Sequence, residues 1–160
     1  MSMKLEFYQD LHKKTVVLGG DHHAKLLTDF IEKELMRRGM EVERVPFSED
    51  TKDYISQTAA VAERVSQNPD IYCGIVGCKN GFGVTTVANI YKNVFATRCD
   101  NQLQAIDARK VNYSNVLTFG AVFVSEDEMK AILDNWFSTN FELSEKNVER
   151  LTRLFELMKA

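Results

Sequence analysis

Three places in the sequence combine groups that can move a proton or hold an anion. The first is Ile71 to Asn89, which reads I-Y-C-G-I-V-G-C-K-N-G-F-G-V-T-T-V-A-N. Its apolar first half suits a buried strand. The chain then reaches Cys78, turns through Gly81 and Gly83, and enters a helix with Thr85 and Thr86 in its first turn. A thiol at a strand end, just before a helix start, sits in a field that favours thiolate and can act as nucleophile or base. Backbone N–H groups of the same turn are placed to bind an anion. The second place is Asp21-His22-His23, at the exit of the apolar run T-V-V-L and the pair Gly19-Gly20. The third is a basic stripe, Lys146, Arg150 and Arg153, on the last helix.

Each place also has a plain reading. A lone G-x-G turn is common, and the dinucleotide pattern fails because Val84, Thr85 and Thr86 follow Gly83. The P-loop pattern fails as well, since no Gly-Lys-Ser/Thr ends the turn. Asp21-His22 can be a helix cap, and His23 reads as surface. The basic stripe can be a solvated face opposite Val148 and Leu151. Cys73 lies mid-strand and reads as core, and Cys99 reads as structural. The three histidines form no metal motif with a carboxylate at ligand spacing, so no metal is expected.

The elements that must carry these groups alternate. Thr15–Leu18 is a short β-branched strand, followed by a helix over Ala24–Arg38 with Leu27, Ile31 and Leu35 on one face, Leu26 and Phe30 beside them, and Gly39 as its stop. Glu41–Val45 reads as a second strand. After the polar loop Pro46–Lys52, Asp53–Gln67 is a helix with Ile55, Ala59, Ala62 and Val65 on its apolar face. The central strand and its helix come next, then a fourth strand at Val94–Thr97. Asp100 can cap a helix over Asn101–Lys110. Ser114–Phe119 is a fifth strand. Ser125 with Glu128 forms a capping-box signature for a helix carrying Met129, Ile132, Leu133 and Trp136. Ser144 can cap a last helix with the stripe Val148, Leu151, Phe155 and Met158. Strand and helix alternate about five times, the signature of a parallel sheet covered on both faces: an α/β fold, specifically a three-layer α/β/α Rossmann-like sandwich with a five-stranded parallel sheet. Ligands in such sheets bind beyond the carboxyl ends of the strands. Residues 1–14 read as an N-terminal extension and residues 15–160 as one domain.

Composition excludes several classes. The chain has 160 residues, 44% apolar and 27% charged, which suits one globular domain. A net charge of −3 exerts no general pull on nucleic acid or acidic membranes. No apolar run is long enough to span a bilayer, and the first residues show no secretion signal. Three cysteines without a scaffold-like spacing point to reduced thiols and a cytoplasmic setting.

The ordered motifs carry a resemblance. V-V-L-G-G-D-H followed by a helix, Asp53-Tyr54 at the start of the second helix, G-I-V-G-C-K-N-G-F-G-V-T-T-V-A-N, and N-Y-S-N-V-L-T-F-G resemble the family of ribose-5-phosphate isomerase B and galactose-6-phosphate isomerase, from about Thr15 to the C-terminus. The resemblance implies a cofactor-independent aldose–ketose isomerase, an intramolecular oxidoreductase of carbohydrate metabolism, acting on a phosphorylated sugar through an enediolate. It implies a homodimer or tetramer with sites at the subunit interface, or a heteromer. By the same resemblance, Cys78 is the base that takes and returns the proton, and Asp21 helps open the sugar ring. His22, Tyr54 and the turn Lys79, Asn80, Gly81, Phe82 and Gly83 contact the substrate, the turn's amides holding the enediolate oxygens. Asn112 of a partner subunit binds a sugar hydroxyl, and Lys146 with Arg150 clamps phosphate.

The sequence departs from the family pattern in places. Val111 stands where members often carry a ring-opening His, and Val122 where many carry a phosphate-binding Arg. Lys79-Asn80 replaces Gly-Thr, and L-S-E-K-N-V-E-R replaces G-G-R-H-x-x-R. Aligned without a gap, the two arginines become Glu145 and Glu149. With one inserted residue they become Lys146 and Arg150, which keeps positive charge on one helix face. Lys79 is placed to favour thiolate at Cys78. A non-catalytic or partner-dependent subunit, or a sugar-phosphate binding protein, is the alternative expectation.

Overall fold

The computed structural model describes residues 7–160. Five strands form one all-parallel sheet: β1 (Thr15–Gly20), β2 (Val42–Arg44), β3 (Tyr72–Cys78), β4 (Ala96–Arg98) and β5 (Val116–Gly120), in the spatial order β2-β1-β3-β5-β4. Six helices connect and cover them: α1 (Lys25–Arg37), α2 (Tyr54–Gln67), α3 (Phe82–Ala88), α4 (Gln102–Lys110), α5 (Glu126–Ser138) and α6 (Glu145–Lys159).

Strand alternation divides the core in two. Val16, Leu18, Cys73, Ile75, Leu117 and Phe119 point to one side, where Leu27, Ile31 and Leu35 of α1 meet Ile132 and Trp136 of α5. Val17, Val76, Cys78 and Val116 point to the other side, against Val61, Ala62 and Val65 of α2 and Val84 and Ala88 of α3. The result is the expected three-layer sandwich. A third cluster of Phe95, Tyr113, Phe141 and Leu151, with Phe155 and Met158 against it, seats α6 beside the sheet.

Ser125 and Glu128 close the reciprocal capping box at α5, and Ser144 caps α6 through the N–H of Asn147. Other expectations need correction. The inward face of α2 is Thr58, Val61, Ala62 and Val65, while Ile55 is 53% exposed. Leu26 is 83% exposed, on the outer side of α1. Asn101, not Asp100, caps α4, because the carboxylate of Asp100 is taken by Arg98 at 2.8 Å. Near the start of the chain, Leu11 is buried and the buried guanidinium of Arg109 donates to the carbonyl oxygens of Gln9, Ser114 and Thr139. Burial holds that guanidinium down at about 10.

Candidate active site

The strand order reverses between β1 and β3. These strands are neighbours, in register from Thr15 opposite Tyr72 to Gly20 opposite Gly77, so their carboxyl ends open side by side. That places Asp21 directly beside Cys78. The N–H of Asp21 donates to the carbonyl of Gly77 at 3.2 Å, which fixes the junction.

Cys78 is 5% exposed and lines an open hollow of about 360 Å³. Its sulfur accepts the N–H of Gly81 at 3.2 Å. Gly81 can make that approach because it adopts φ 85°, in the left-handed region, and because a Cβ there would meet Arg98 and the backbone of Phe119 and Gly120. Asn80 accepts the N–H of Phe82 through its side chain at 3.1 Å. Two amides of the turn are therefore already engaged, one by sulfur and one by Asn80. With α3 only seven residues long, the turn amides outweigh any helix field in this site.

The wall opposite Cys78 comes from β1 and α2. Asp21 is buried and caps the turn His22–Ala24, its Oδ1 accepting from the N–H groups of His23 (3.0 Å) and Ala24 (3.3 Å). Its Oδ2 lies 3.3 Å from Nδ1 of His23. Lys79, Asn80, Phe82 and Gly83 complete the floor, and Tyr54 stands at the rim. A Cβ on Gly83 would lie 2.6 Å from the Tyr54 ring, so glycine is what lets that ring close over the loop. Tyr54 opens α2, whose N-cap Asp53 accepts from the N–H and hydroxyl of Ser56. Those bonds hold the carboxyl of Asp53 below its ordinary range.

The structure brings together Cys78, Asp21, Tyr54, Lys79, Asn80, Phe82 and Gly83, with Gly81 turning the loop beneath them. It does not bring Asn112, Lys146 or Arg150 to them within one chain. Asn112 lies in the loop that enters β5, at the amino-terminal end of the strands, opposite to the ends that carry Asp21 and Cys78. It shares a second hollow, about 310 Å³, with Val111, Arg150, Arg153 and the exposed Leu154 and Leu157. Lys146 is not among that hollow's lining residues, and Arg153 takes the second basic position, three residues after Arg150.

His22 does not line the Cys78 hollow; His23 does. The two rings meet at a tilt of 38° with centroids 3.9 Å apart, and Nδ1 of His23 turns toward Asp21. Oxygen and nitrogen atoms of Asp21, His22 and His23 lie within 4.8 Å of one another, but both carboxylate oxygens of Asp21 already have hydrogen-bond partners.

Two supports hold the site: Gln57, which the sequence does not mark, and Arg98, one of the polar residues Arg98 to Asp100 at the end of the fourth strand. Gln57, fully inside α2, accepts the N–H of Gly20 and donates to the carbonyls of Pro46 and Thr51, which ties the 46–52 loop to the end of β1. Arg98 lays its guanidinium 4.5 Å from the centre of the Phe82 ring while pairing with Asp100, so it clamps the loop from outside. Neither position matches a motif; the only local signal for Arg98 is its place at a strand end.

Residues 16–154 match the model of the Ribose/Galactose Isomerase family. The chain belongs to that family. Ribose-5-phosphate isomerase B of Escherichia coli K12 is 30% identical over 144 residues, covering 88% of this chain and 96% of the relative. The galactose-6-phosphate isomerase subunit LacA of Streptococcus agalactiae is 25% identical over 128 residues, 80% of this chain and 89% of that protein. The crystal structure of ribose-5-phosphate isomerase B from Mycoplasma genitalium with bound ribulose-5-phosphate superimposes with a TM-score of 0.84 at 27% identity, over 91% of this chain and 96% of that one. Among the described residues, no helix is long and apolar enough to cross a membrane.

Proposed function

We propose that this chain interconverts an aldose phosphate and its ketose in the hollow around Cys78, without a cofactor. The thiolate takes the proton from C2 of the open aldose and the C1 carbonyl becomes an enediolate oxygen; the hydroxyl proton passes from O2 to O1, and the carbon-bound proton returns to C1 as C2 becomes the carbonyl. Amides of the Lys79–Gly83 turn that sulfur and the Asn80 side chain leave free would hold the oxygens on which that charge develops. The observation that carries the reading is the sulfur itself: it lies at the floor of the hollow, it accepts an amide N–H, and Asp21 stands at the end of the neighbouring strand. Five- and six-carbon substrates both fit this chemistry, as the names of the relatives indicate.

The phosphate belongs to the second hollow, where Arg150 and Arg153 sit beside Asn112 and exposed leucines. A second copy of the chain would present that surface to the Cys78 hollow and complete each site, as a homodimer or tetramer or with a related subunit; Lys146 would add charge at its edge. A soluble, reduced cytoplasmic enzyme agrees with three buried free cysteines. Mixing two inactive variants tests the shared site. Cys78→Ala and Arg150→Ala chains, dissociated and reassociated, should regain roughly a quarter of the parent activity, since a mixed dimer restores one intact site in two. No recovery at any ratio would place the whole site inside one subunit.

A further inference from the structure

A sugar phosphate of five or six carbons is held mostly as a ring, so an isomerase that works at C1 and C2 must first obtain the open aldehyde. Ring opening needs a group that removes the proton of the anomeric hydroxyl and supplies one to the ring oxygen. The thiol of Cys78 is occupied with the carbon-bound proton, and the family's position for this task holds a valine, Val111, which cannot move a proton and lies at the other hollow.

We propose that His23, oriented by Asp21, is the ring-opening acid–base of this chain, a catalytic residue that contacts the sugar's anomeric and ring oxygens. The inference rests on the isomerase reading and deepens it. Three observations carry it. The ring of His23 lines the same hollow as Cys78, whereas that of His22 does not. Its Nδ1 lies 3.3 Å from Oδ2 of Asp21; with Nδ1 as the donor of that contact, Nε2 is the nitrogen left to exchange a proton with the sugar. The carboxylate cannot swing away, because its other oxygen is held by the N–H groups of His23 and Ala24 and its own N–H by Gly77. The ring of His22 lies tilted against that of His23, with centroids 3.9 Å apart. With 42% of its side chain open to solvent, His23 can reach substrate and exchange protons.

The step balances with one proton. Nε2 takes the proton from the anomeric hydroxyl, the O–H pair becomes the C1=O1 bond, the bond from C1 to the ring oxygen breaks with its pair going to that oxygen, and the imidazolium returns the same proton there. Nothing is oxidised or reduced, and the open aldehyde is delivered beside Cys78 for the C2 step.

The test compares a substrate with a ring to open and one without. An aldopentose 5-phosphate closes through its C4 hydroxyl. An aldotetrose 4-phosphate cannot close a five-membered ring because its C4 oxygen is esterified. In His23→Gln, kcat/KM for the aldopentose phosphate should fall about 10²-fold or more, the span of general acid–base catalysis, while kcat/KM for the aldotetrose phosphate, a separate reaction with no ring to open, stays within about threefold of the parent. Equal losses on ring and open substrates would overturn the assignment and make His23 a support for Asp21; unchanged turnover of the ring substrate would remove it from the chemistry. Retained turnover of the open substrate also shows that the variant is folded. Failure of the unchanged chain to turn over any of these phosphates would instead take down the isomerase reading beneath it.

Discussion

Replacing Cys78 separates what its sulfur does for the fold from what it does for the reaction. The side chain is nearly sealed beneath the hollow, packed in the cluster with Val76, Val84 and Ala88, and it accepts the N–H of Gly81. Alanine removes one buried heavy atom, about 1 kcal/mol, and strands an amide donor, about 1 kcal/mol more. For a chain of this length the total of about 2 kcal/mol lowers the melting temperature by roughly 6 °C. Serine keeps an oxygen that can accept the Gly81 N–H, so its loss should be about half as large. The two variants part company from each other in stability but not in activity. A hydroxyl gives up its proton far less readily than a thiol, so neither variant supplies the base, and kcat should fall by about 10³-fold or more in both. The assay follows ketose formation from aldose 5- and 6-phosphates and, in deuterated water, exchange of the C2 hydrogen, alongside thermal melts. A serine variant within tenfold of the parent in turnover would refute the thiol as base. An alanine variant as stable as serine would refute the Gly81–sulfur contact as part of the fold.

Two further perturbations follow from the geometry. Gly83→Ala places a Cβ 2.6 Å from the Tyr54 ring, which is at the rim and free to swing outward, so KM should rise about tenfold with the melting temperature nearly unchanged; an unchanged KM in steady-state kinetics would remove Tyr54 from substrate contact. Away from the site, Glu34 is held by Arg37 at 2.6 Å and by Arg38 at 3.0 Å, which brings its carboxyl down to about 2 from 4.5. A depressed carboxyl contributes stability that is present above its unfolded value and lost as pH falls toward the folded one. Because Arg37 is largely in water, screening reduces this to about 1 kcal/mol, so Glu34→Gln should melt roughly 3 °C below the parent at pH 7 and converge with it as the pH falls from about 4.5 to about 2; a gap that persists at low pH in a pH series of melts would rule out the ion pair as its source.

The order of strands and helices was legible because each element declares itself locally. T-V-V-L and I-V-G-C are too short and too apolar for helices, and Ser125 with Glu128 is a cap that requires nothing beyond its own neighbours. The candidate site was legible where a motif is also a backbone requirement, as in the turn around Gly81. Errors arose where a distant partner decides. Ile55 looks like core by spacing, but the inward position one turn into α2 goes to Gln57, whose amide satisfies three polar backbone groups at the buried end of β1 and in the 46–52 loop. Asp100 looks like a cap until Arg98 claims it. His22 and His23 differ by one residue, and which of them turns inward depends on the carboxylate of Asp21, which no periodicity reveals.

What sets Cys78 at the floor of the hollow is the residue before it. Side chains alternate along β3, so Gly77 faces the α1 and α5 layer while Cys78 faces the α2 and α3 layer. The ring of Phe119 occupies the space over Gly77 so closely that a Cβ there would lie 2.3 Å from it. That contact locks the register of β3 against β5, where Gly77 pairs with Phe119 and Cys78 with Gly120. A slip of one residue would drive the thiol into the aromatic ring and turn Gly77 toward the hollow. Gly120 does the corresponding work one position on: a Cβ there would lie 2.4 Å from the backbone of Asn80, so the end of β5 can support the turn only as glycine. The placement of Cys78 thus depends on two glycines that do not line the hollow. Their task is to let an aromatic ring and a loop come close enough to hold the sulfur beside Asp21.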